Sequence, residues 1–182
     1  MRHGWTKYLT PRDLWPYERK VCWRRLWGNR STMTEDEMMA YPTDHAGLEI
    51  LSFGDCLRLL DSVPVGRIGF FADGEIVILP VNHVMDGQDV IFRTGNGSKL
   101  SSVGSKHLVS FEADSYDART RSGWSVVVNG FTEIVESDAE IRRLSDLGLD
   151  AWARTAEDVT TWIRIRPTSV TGRRTPGAAF GA

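Results

Sequence analysis

Cysteine is scarce in this chain, and several features that would assign a class at once are missing. The 182 residues contain two cysteines, Cys22 and Cys56, whose separation is not that of a metal site. No apolar run approaches the roughly 20 residues that cross a membrane, and the N-terminus has no apolar signal core. His45 and His107 stand without ligand partners. We therefore expect a reduced, cytoplasmic protein with no metal site and no membrane partner.

Two nucleotide-binding signatures are also missing. The order G-x-x-x-x-G-K-[ST] of a P-loop does not occur, and Gly95-Asn96-Gly97 lacks the third glycine of a dinucleotide fingerprint. The apolar runs before that stretch are typical of hairpins rather than of a βαβ unit. There is no internal repeat, and the length predicts one domain with room for a core.

The first 30 residues differ in charge from the rest of the chain. They carry eight Lys/Arg and two acidic residues, a net charge of +6, whereas the remaining 14 cations and 22 acidic residues give −8. Basic residues interleaved with tryptophans can bind nucleic acid or a membrane surface, but we favour a loose terminal extension. We predict a leader and approach segment outside the core at 1–47, the folded domain at 48–174 and a flexible tail at 175–182. Nucleic acid is not an expected partner.

What the chain does contain is a glycine-bearing stretch from Phe92 to Leu100, followed by a helix-like run at 99–105. Glycines let backbone N–H groups turn inward, and a helix N-terminus carries a partial positive charge. The stretch adds two hydroxyls and two cations: Thr94, Ser98, Arg93 and Lys99. The combination predicts a cradle for an anion such as a phosphate. An ordinary strand–turn–helix connection capped by Ser98 is the open alternative.

Apolar alternation and turn signals predict a mainly β chain of the α+β kind. Six strands are predicted, at 66–71, 76–84, 89–93, 107–112, 123–134 (bent at Gly130) and 159–165. A short helix is predicted from Phe53 to Leu60, with Ser52 as its cap and Phe53, Cys56, Leu57 and Leu60 on its apolar face. A second helix begins at Ser137 with a capping-box pattern. Hairpin-linked strands with short peripheral helices indicate an antiparallel barrel.

Five motifs then occur in a fixed order. They are Gly66-Arg67-Ile68-Gly69, Leu79-Pro80-Val81-Asn82, Phe92 to Lys99, Gly123-Trp124-Ser125-Val126-Val127-Val128, and Ile165-Arg166-Pro167 with Thr171-Gly172-Arg173. Each motif is short, but the ordered set over residues 48–174 resembles the pyridoxamine 5′-phosphate oxidase-like family. These are the flavin-binding split β-barrel proteins.

The resemblance implies a split antiparallel β-barrel and a homodimer that binds FMN at the subunit interface. It implies that four residues hold the flavin phosphate: Arg93, Thr94, Ser98 and Lys99. A second set would lie against the isoalloxazine ring, largely through backbone groups: Leu79, Pro80, Val81 and Asn82. Trp124 and Ser125 would lie near the flavin of the other subunit, with a barrel-core position as the alternative for Trp124.

Two departures from the family pattern concern the substrate. The oxidases close with an Arg-Leu-His-Asp-Arg type of segment, whereas this chain runs Gly172-Arg173-Arg174-Thr175-Pro176. The lysine that such oxidases carry on the second strand is missing near Val81-Asn82. The family motifs for the cofactor site are therefore present and those for the pyridoxine substrate site are not, so oxidation of pyridoxamine phosphate is not expected.

We therefore expect an FMN-binding oxidoreductase that acts on a small-molecule substrate by hydride transfer. A deazaflavin-dependent reductase that uses the same cleft, and a flavin-binding protein without activity, are the alternatives. No catalytic residue is assigned. His83 is a candidate proton donor or substrate contact, because imidazole titrates near neutrality, and an ordinary strand-end histidine is its alternative.

Overall fold

The strands of this protein are long and the helices short. The computed structural model describes residues 41–95, 106–149 and 160–177. The strands are β1 (Glu49–Ile50), β2 (Val65–Ala72), β3 (Glu75–Asp86), β4 (Asp89–Gly95), β5 (Leu108–Asp117), β6 (Ser122–Ile134) and β7 (Thr160–Arg174). The helices are α1 (Phe53–Asp61) and α2 (Asp138–Ser145). Neither is long and apolar enough to cross a membrane. Residues 1–40 of the predicted leader and approach segment, and the predicted helix at 99–105, fall outside the described residues.

Six strands close into a ring. Around it the order is β7, β4, β3, β2, β5 and β6, and β6 pairs back onto β7. Every pairing is antiparallel, and β1 adds two residues to the end of β7. Closure of this kind leaves few exposed strand edges. The predicted split antiparallel barrel of about six strands with short helices is confirmed.

Two strands run further than their sequences predict. β5 continues to Asp117 in register with β6, although the predicted strand ends at residue 112. β7 continues past Pro167 to Arg174. Proline can remain in this strand because it lies at a register shift, where Gly130 pairs with Pro167 and Asn129 pairs with Ser169.

Gly130 is the residue that allows β6 and β7 to approach at this shift. A Cβ there would lie 2.2 Å from the carbonyl oxygen of Arg166, which is backbone and cannot rotate away. The bend predicted at Gly130 therefore coincides with the irregularity in the ladder.

Gly130→Ala is expected to lower the free energy of unfolding by about 1–3 kcal/mol, because the two strands must move apart. Urea unfolding measures the effect. The matched control is Gly54→Ala in α1, where nothing lies within 4 Å of the new methyl group. That change should stabilise by about 0.5–1 kcal/mol. A Gly130→Ala protein as stable as the parent would contradict the close approach.

Two apolar clusters hold the elements together. The larger fills the ring and includes the fully buried side chains of Ile68, Phe92 and Phe111, with Cys56, Leu59 and Leu60 from α1. The smaller lies between the sheet and α2 and comprises Ile91, Val135, Leu144, Leu149 and Trp162. Strand alternation explains the division, since neighbouring residues of β4 and of β7 point to opposite faces. The sheet is thus buried on both faces along β4 and the first half of β7.

The cap of α1 is built around one carboxylate. Ser52 accepts a hydrogen bond from the backbone N–H of Asp55, as predicted, and its hydroxyl donates to Asp55 Oδ2 at 2.6 Å. Tyr41 donates to the same oxygen at 2.6 Å, and Arg58 pairs with the other oxygen. Burial alone would raise the pKa of Asp55, but these three partners together lower it from 3.8 to about 2.

Asp55→Asn is expected to cost about 2 kcal/mol of stability at pH 7. A carboxylate with a lowered pKa stabilises the fold above its unfolded value of 3.8 and loses that contribution as the pH falls toward 2. The difference between variant and parent should therefore shrink on acidification, as measured by urea unfolding from pH 7 downward. Asp61→Asn, an exposed position on the same helix, should change stability by less than about 0.5 kcal/mol. A constant difference at all pH values would refute the cap network.

The second helix forms where predicted but is capped differently. Ser137 is its N-cap residue, yet its side chain makes no capping hydrogen bond, so the predicted capping box is wrong. Glu140, the expected reciprocal partner, instead accepts a hydrogen bond from Arg164 at 2.5 Å. Gly148, with a φ of +75°, follows the helix as predicted.

Candidate functional site

The ring opens between two neighbouring strands. β3 pairs with β4 only from Asp86 to His83, and the last pair is His83 with Phe92. Beyond that pair, residues 75–82 of β3 remain paired with β2, while β4 continues to Gly95 along β7. The two strands therefore separate. We call the gap between Leu79–Asn82 and Arg93–Gly95 the β3–β4 cleft.

On the β3 side, the cleft is bordered mainly by main chain. Leu79 and Val81 are half-buried and pack against the inner core, because they lie opposite Ile68 and Gly66 of β2. Pro80 points to the other face and is exposed. Main-chain N–H and C=O groups lie in the plane of a sheet and alternate between its two sides along a strand. The His83 N–H bonds to the Pro64 carbonyl on the β2 side, so Pro80 and Asn82 direct their main-chain groups toward the cleft. Asn82 is partly engaged, since its side-chain amide donates to the Pro64 carbonyl at 3.3 Å.

On the β4 side, the cleft is bordered by Arg93 and Thr94, both half-buried. The guanidinium of Arg93 lies over the Trp162 ring, 5.2 Å from its centroid, and the two residues are directly opposite in the β4–β7 ladder. Stacking of this kind limits the rotamers of the arginine. Ser98 and Lys99, the other predicted phosphate ligands, lie outside the described residues.

Trp124 and Ser125 lie elsewhere on the ring. β2 and β5 lie between β3 and β6, so β3 and β6 are about 14 Å apart along the sheet at ordinary strand spacing. Trp124 is buried in the barrel core, which was the alternative for this residue. Ser125 is half-buried and lines a pocket of about 380 Å³ together with Arg173. One chain therefore does not bring these two residues to its own β3–β4 cleft.

Arginines at the end of β7 are already paired with carboxylates of the same chain. Arg173 binds Asp44 at 3.2 Å, and Arg174 binds Glu49 at 2.5 Å. Arg174 also lies over the Tyr41 ring, 4.5 Å from its centroid. These partners lie upstream of α1, in and beside the predicted approach segment.

His83 lies inside the barrel wall rather than on the cleft surface. Only 4 % of the residue is exposed, its Nε2 is 2.9 Å from the Leu60 carbonyl oxygen, and its ring meets the edge of Phe111 at 4.8 Å. Burial lowers the pKa of His83, with the Leu60 carbonyl and the Asp61 charge opposing it in part. A neutral ring whose Nε2–H is held by a carbonyl offers an acceptor at Nδ1, not a proton.

Sequence reasoning missed a buried ion cluster behind the cleft. Arg164, 8 % exposed, binds Asp86 at 3.1 Å, Asp89 at 3.3 Å and Glu140 at 2.5 Å, and so joins the β3–β4 hairpin to α2 and β7. Arg143 adds a two-pronged contact to Asp86. The only sequence feature that could have indicated this cluster was Arg164 itself, a cation between the apolar residues Trp162 and Ile165 of the predicted strand. Over the described ranges, no three His, Cys, Asp or Glu side chains are grouped to hold a metal ion.

An antiparallel barrel that opens between two adjacent strands is the architecture of a split β-barrel protein. Residues 53–174 match the family described as pyridoxamine 5′-phosphate oxidase, and the chain belongs to that family. The resemblance stated from the ordered motifs is confirmed.

Individual relatives agree with this assignment. The uncharacterized protein Rv0080 of Mycobacterium tuberculosis is 37 % identical over 78 % of this chain and 95 % of its own length. A solved FAD binding protein from Mycobacterium smegmatis is 39 % identical, with a TM-score of 0.60 over 69 % of this chain and 98 % of that one. A FAD-binding protein from Mesorhizobium loti is 23 % identical, with a TM-score of 0.57 over 70 % and 96 % of the two chains, and shows the fold alone.

Proposed function

We propose that this protein is a flavin-dependent oxidoreductase that holds FMN in the β3–β4 cleft and acts on a small molecule by hydride transfer. The observation that carries the proposal is the end of the β3–β4 ladder at His83–Phe92. That end leaves main-chain groups of β3 on one side of a cleft and a stacked arginine on the other.

The residues at the cleft fit a flavin. The polar edge of a planar heterocycle alternates donors and acceptors. On the β3 side the carbonyl of Pro80, which has no N–H, and the main chain of Asn82 are directed toward the cleft. Arg93 is suited to a phosphate, because its planar guanidinium can donate two parallel hydrogen bonds to it. A bound flavin would supply the hydride chemistry, and the chain would bind and orient the cofactor and exclude water.

We further propose that the protein is a homodimer. Five large apolar side chains are exposed on one face of the sheet: Phe71, Ile76, Ile78, Leu108 and Phe131. Phe71 lies opposite Ile76, Leu108 lies opposite Phe131, and Ile78 lies opposite Gly69. Exposed apolar surface of this kind marks an interaction site. Because Trp124 and Ser125 do not reach the cleft of their own chain, a second copy is the available way for this segment to contribute to a flavin site.

The substrate is not expected to be pyridoxamine phosphate. Arg173 and Arg174 stand where the oxidases carry their closing segment, and Asp44 and Glu49 of this chain occupy both guanidinium groups. A cation paired in this way is less available to a substrate phosphate. We infer that the chain acts on a different small molecule.

FAD is the second candidate for the cofactor, and the M. smegmatis FAD binding protein at 39 % identity favours it. Deazaflavin is the third. The cofactor released from purified protein on denaturation should be identified by mass spectrometry, and FMN, FAD, riboflavin and deazaflavin should each be titrated into cofactor-free protein. Colourless protein that takes up none of these would overturn the proposal.

Activity and assembly are tested separately from binding. Reduction of the bound cofactor should be followed with NADPH and with reduced deazaflavin, and light scattering should report the mass in solution. Failure of both donors with a bound flavin would favour the non-enzymatic alternative. A monomer with bound flavin would remove the dimer from the proposal without removing the cofactor.

A further inference from the structure

A pocket lies at the end of β7, apart from the β3–β4 cleft of the same chain. It has a volume of about 380 Å³ and is lined by the ends of β5, β6 and β7 together with Leu48. We call it the β7 pocket. Its lining includes Arg173, Arg174, Tyr116 and Trp124, and none of its described lining residues belongs to the cleft. The volume is within the range of small-molecule sites.

Asp44 holds a negative charge against Arg173. Its Oδ2 lies 3.2 Å from Nε of Arg173, while its Oδ1 accepts the N–H groups of Ala46 at 2.9 Å and Leu48 at 3.1 Å. Burial alone would raise the pKa of Asp44, but the Leu48 and Ala46 N–H groups and the guanidinium together lower it. The carboxylate is therefore ionised and is fixed in position by its own turn.

Glu49 neutralises Arg174 in a similar way. Nε of Arg174 lies 2.5 Å from the Glu49 carboxylate, and the guanidinium lies over the Tyr41 ring, 4.5 Å from its centroid. The side chains of Arg174 and Glu49 are 10 % and 17 % exposed, so solvent screens this pair less than an ion pair at the surface. Neither Asp44 nor Glu49 lines the β7 pocket. The two carboxylates therefore neutralise the arginines without occupying the pocket.

The other charged residues of the lining are acidic. Glu112 and Asp114 line the β7 pocket and share one cation, Arg67, at 3.2 Å and 2.6 Å. These contacts set four carboxylates against three guanidinium groups. An anion that entered would have to displace a carboxylate from its arginine or lie beside uncompensated negative charge.

We propose that Asp44 and Glu49 are specificity-determining residues, which make the β7 pocket accept an uncharged aromatic substrate and exclude an anionic one. This inference rests on the proposed function, in which the segment Trp124–Ser125 of one copy reaches the flavin site of a second copy. Tyr116, 65 % exposed, offers aromatic surface to such a molecule, and the Ser125 hydroxyl can bond to its polar group.

The test uses two probes with the same ring system, 2-naphthol, which is uncharged at pH 7, and the anion 2-naphthyl phosphate. Calorimetric titration of the full chain gives a dissociation constant for each. Tyr116→Ala should weaken 2-naphthol binding about fivefold, which is the size of one aromatic contact. This variant tells binding in the β7 pocket from binding in the β3–β4 cleft.

The exclusion of anions is tested by a cycle of two substitutions. Asp44→Asn keeps the turn, because asparagine accepts the same backbone hydrogen bonds, and it removes the charge. It should tighten binding of 2-naphthyl phosphate about tenfold, the effect of one hydrogen bond to a charged group, and leave 2-naphthol within about twofold. Arg173→Met should abolish that gain in the Asp44→Asn protein and leave the affinity of the parent for the phosphate unchanged.

Asp73→Asn in the β2–β3 turn is the control for net charge and should change neither affinity. If Asp44→Asn fails to fold, Glu49→Gln tests the same effect through Arg174 and should likewise tighten phosphate binding.

A phosphate affinity that does not rise in the folded variant would overturn the proposal, and so would a rise that survives Arg173→Met. Absence of 2-naphthol binding at millimolar concentration, or binding that Tyr116→Ala does not weaken, would overturn it as well. No flavin or electron donor enters these titrations. Their failure would therefore leave flavin binding in place, and a protein that takes up no flavin would remove the proposed function without changing the cycle.

Discussion

Replacing Arg164 by methionine is expected to lower the free energy of unfolding by about 3–5 kcal/mol at pH 7. The guanidinium lies among three carboxylates from separate parts of the chain, Asp86, Asp89 and Glu140. Methionine preserves much of the side-chain volume and removes the charge. The loss arises because buried Asp89, 9 % exposed, would then carry an uncompensated charge.

The pH dependence of the stability lost in Arg164→Met tests whether the charge of Asp89 causes that loss. Burial raises the pKa of Asp89, and the Arg164 charge is the first influence that opposes it. Without the arginine the pKa of Asp89 rises further, so its proton binds more readily in the folded state than in the unfolded state. Folding of the variant is therefore favoured as the pH falls, and its deficit should shrink from pH 7 toward about pH 4. Urea unfolding of both proteins across this range measures it.

Arg166→Met is the matched control, two residues further along β7. Arg166 is exposed and pairs with Glu133 at the surface, so its loss should cost less than about 1 kcal/mol. Equal losses for the two variants would mean that burial of the Arg164 cluster is not what stabilises the fold. A deficit of Arg164→Met that stays constant with pH would mean that Asp89 is not the group left unpaired.

The fold was largely predictable because alternation survives wherever one face of a strand is buried. The buried face of a helix was harder to predict from the sequence. Phe53, assigned to the apolar face of α1, is 50 % exposed, while Leu59, which was not assigned to that face, is buried. Phe53 is the first residue of α1, and a helix of nine residues has few positions from which its buried face can be distinguished. The predicted strand ended at residue 165, short of Arg174, because the register shift that accommodates Pro167 depends on Gly130, which is distant in sequence.

The candidate site was predictable only in part. The motifs placed a cofactor between β3 and β4, but nothing in the alternation of either strand marks His83–Phe92 as the last pair, since the apolar pattern continues on both sides. The sequence does not reveal the ion cluster around Arg164, because the carboxylate partners of this arginine lie 24 to 78 residues away.

Arg93→Met should weaken FMN binding about 10- to 100-fold and leave riboflavin binding unchanged. A hydrogen bond to a charged group contributes about 1.5–3 kcal/mol, and only FMN carries the phosphate that would receive it. Methionine retains an aliphatic side chain against Trp162, so the wall of the cleft is preserved. Fluorescence quenching of each flavin on titration into cofactor-free protein gives both dissociation constants.

The comparison of the two flavins separates a phosphate contact from general damage. If Arg93 only supports Trp162 and β4, its replacement deforms the cleft and weakens FMN and riboflavin alike, which would contradict the assignment. Arg67→Met is the control for net charge, because Arg67 is exposed on β2 and pairs with Glu112 at 3.2 Å and Asp114 at 2.6 Å. It should leave both affinities within about twofold, since exposed ion pairs of this kind contribute little. A selective loss of FMN in Arg93→Met alone would locate the phosphate at the end of β4, where the strand leaves its partner β3.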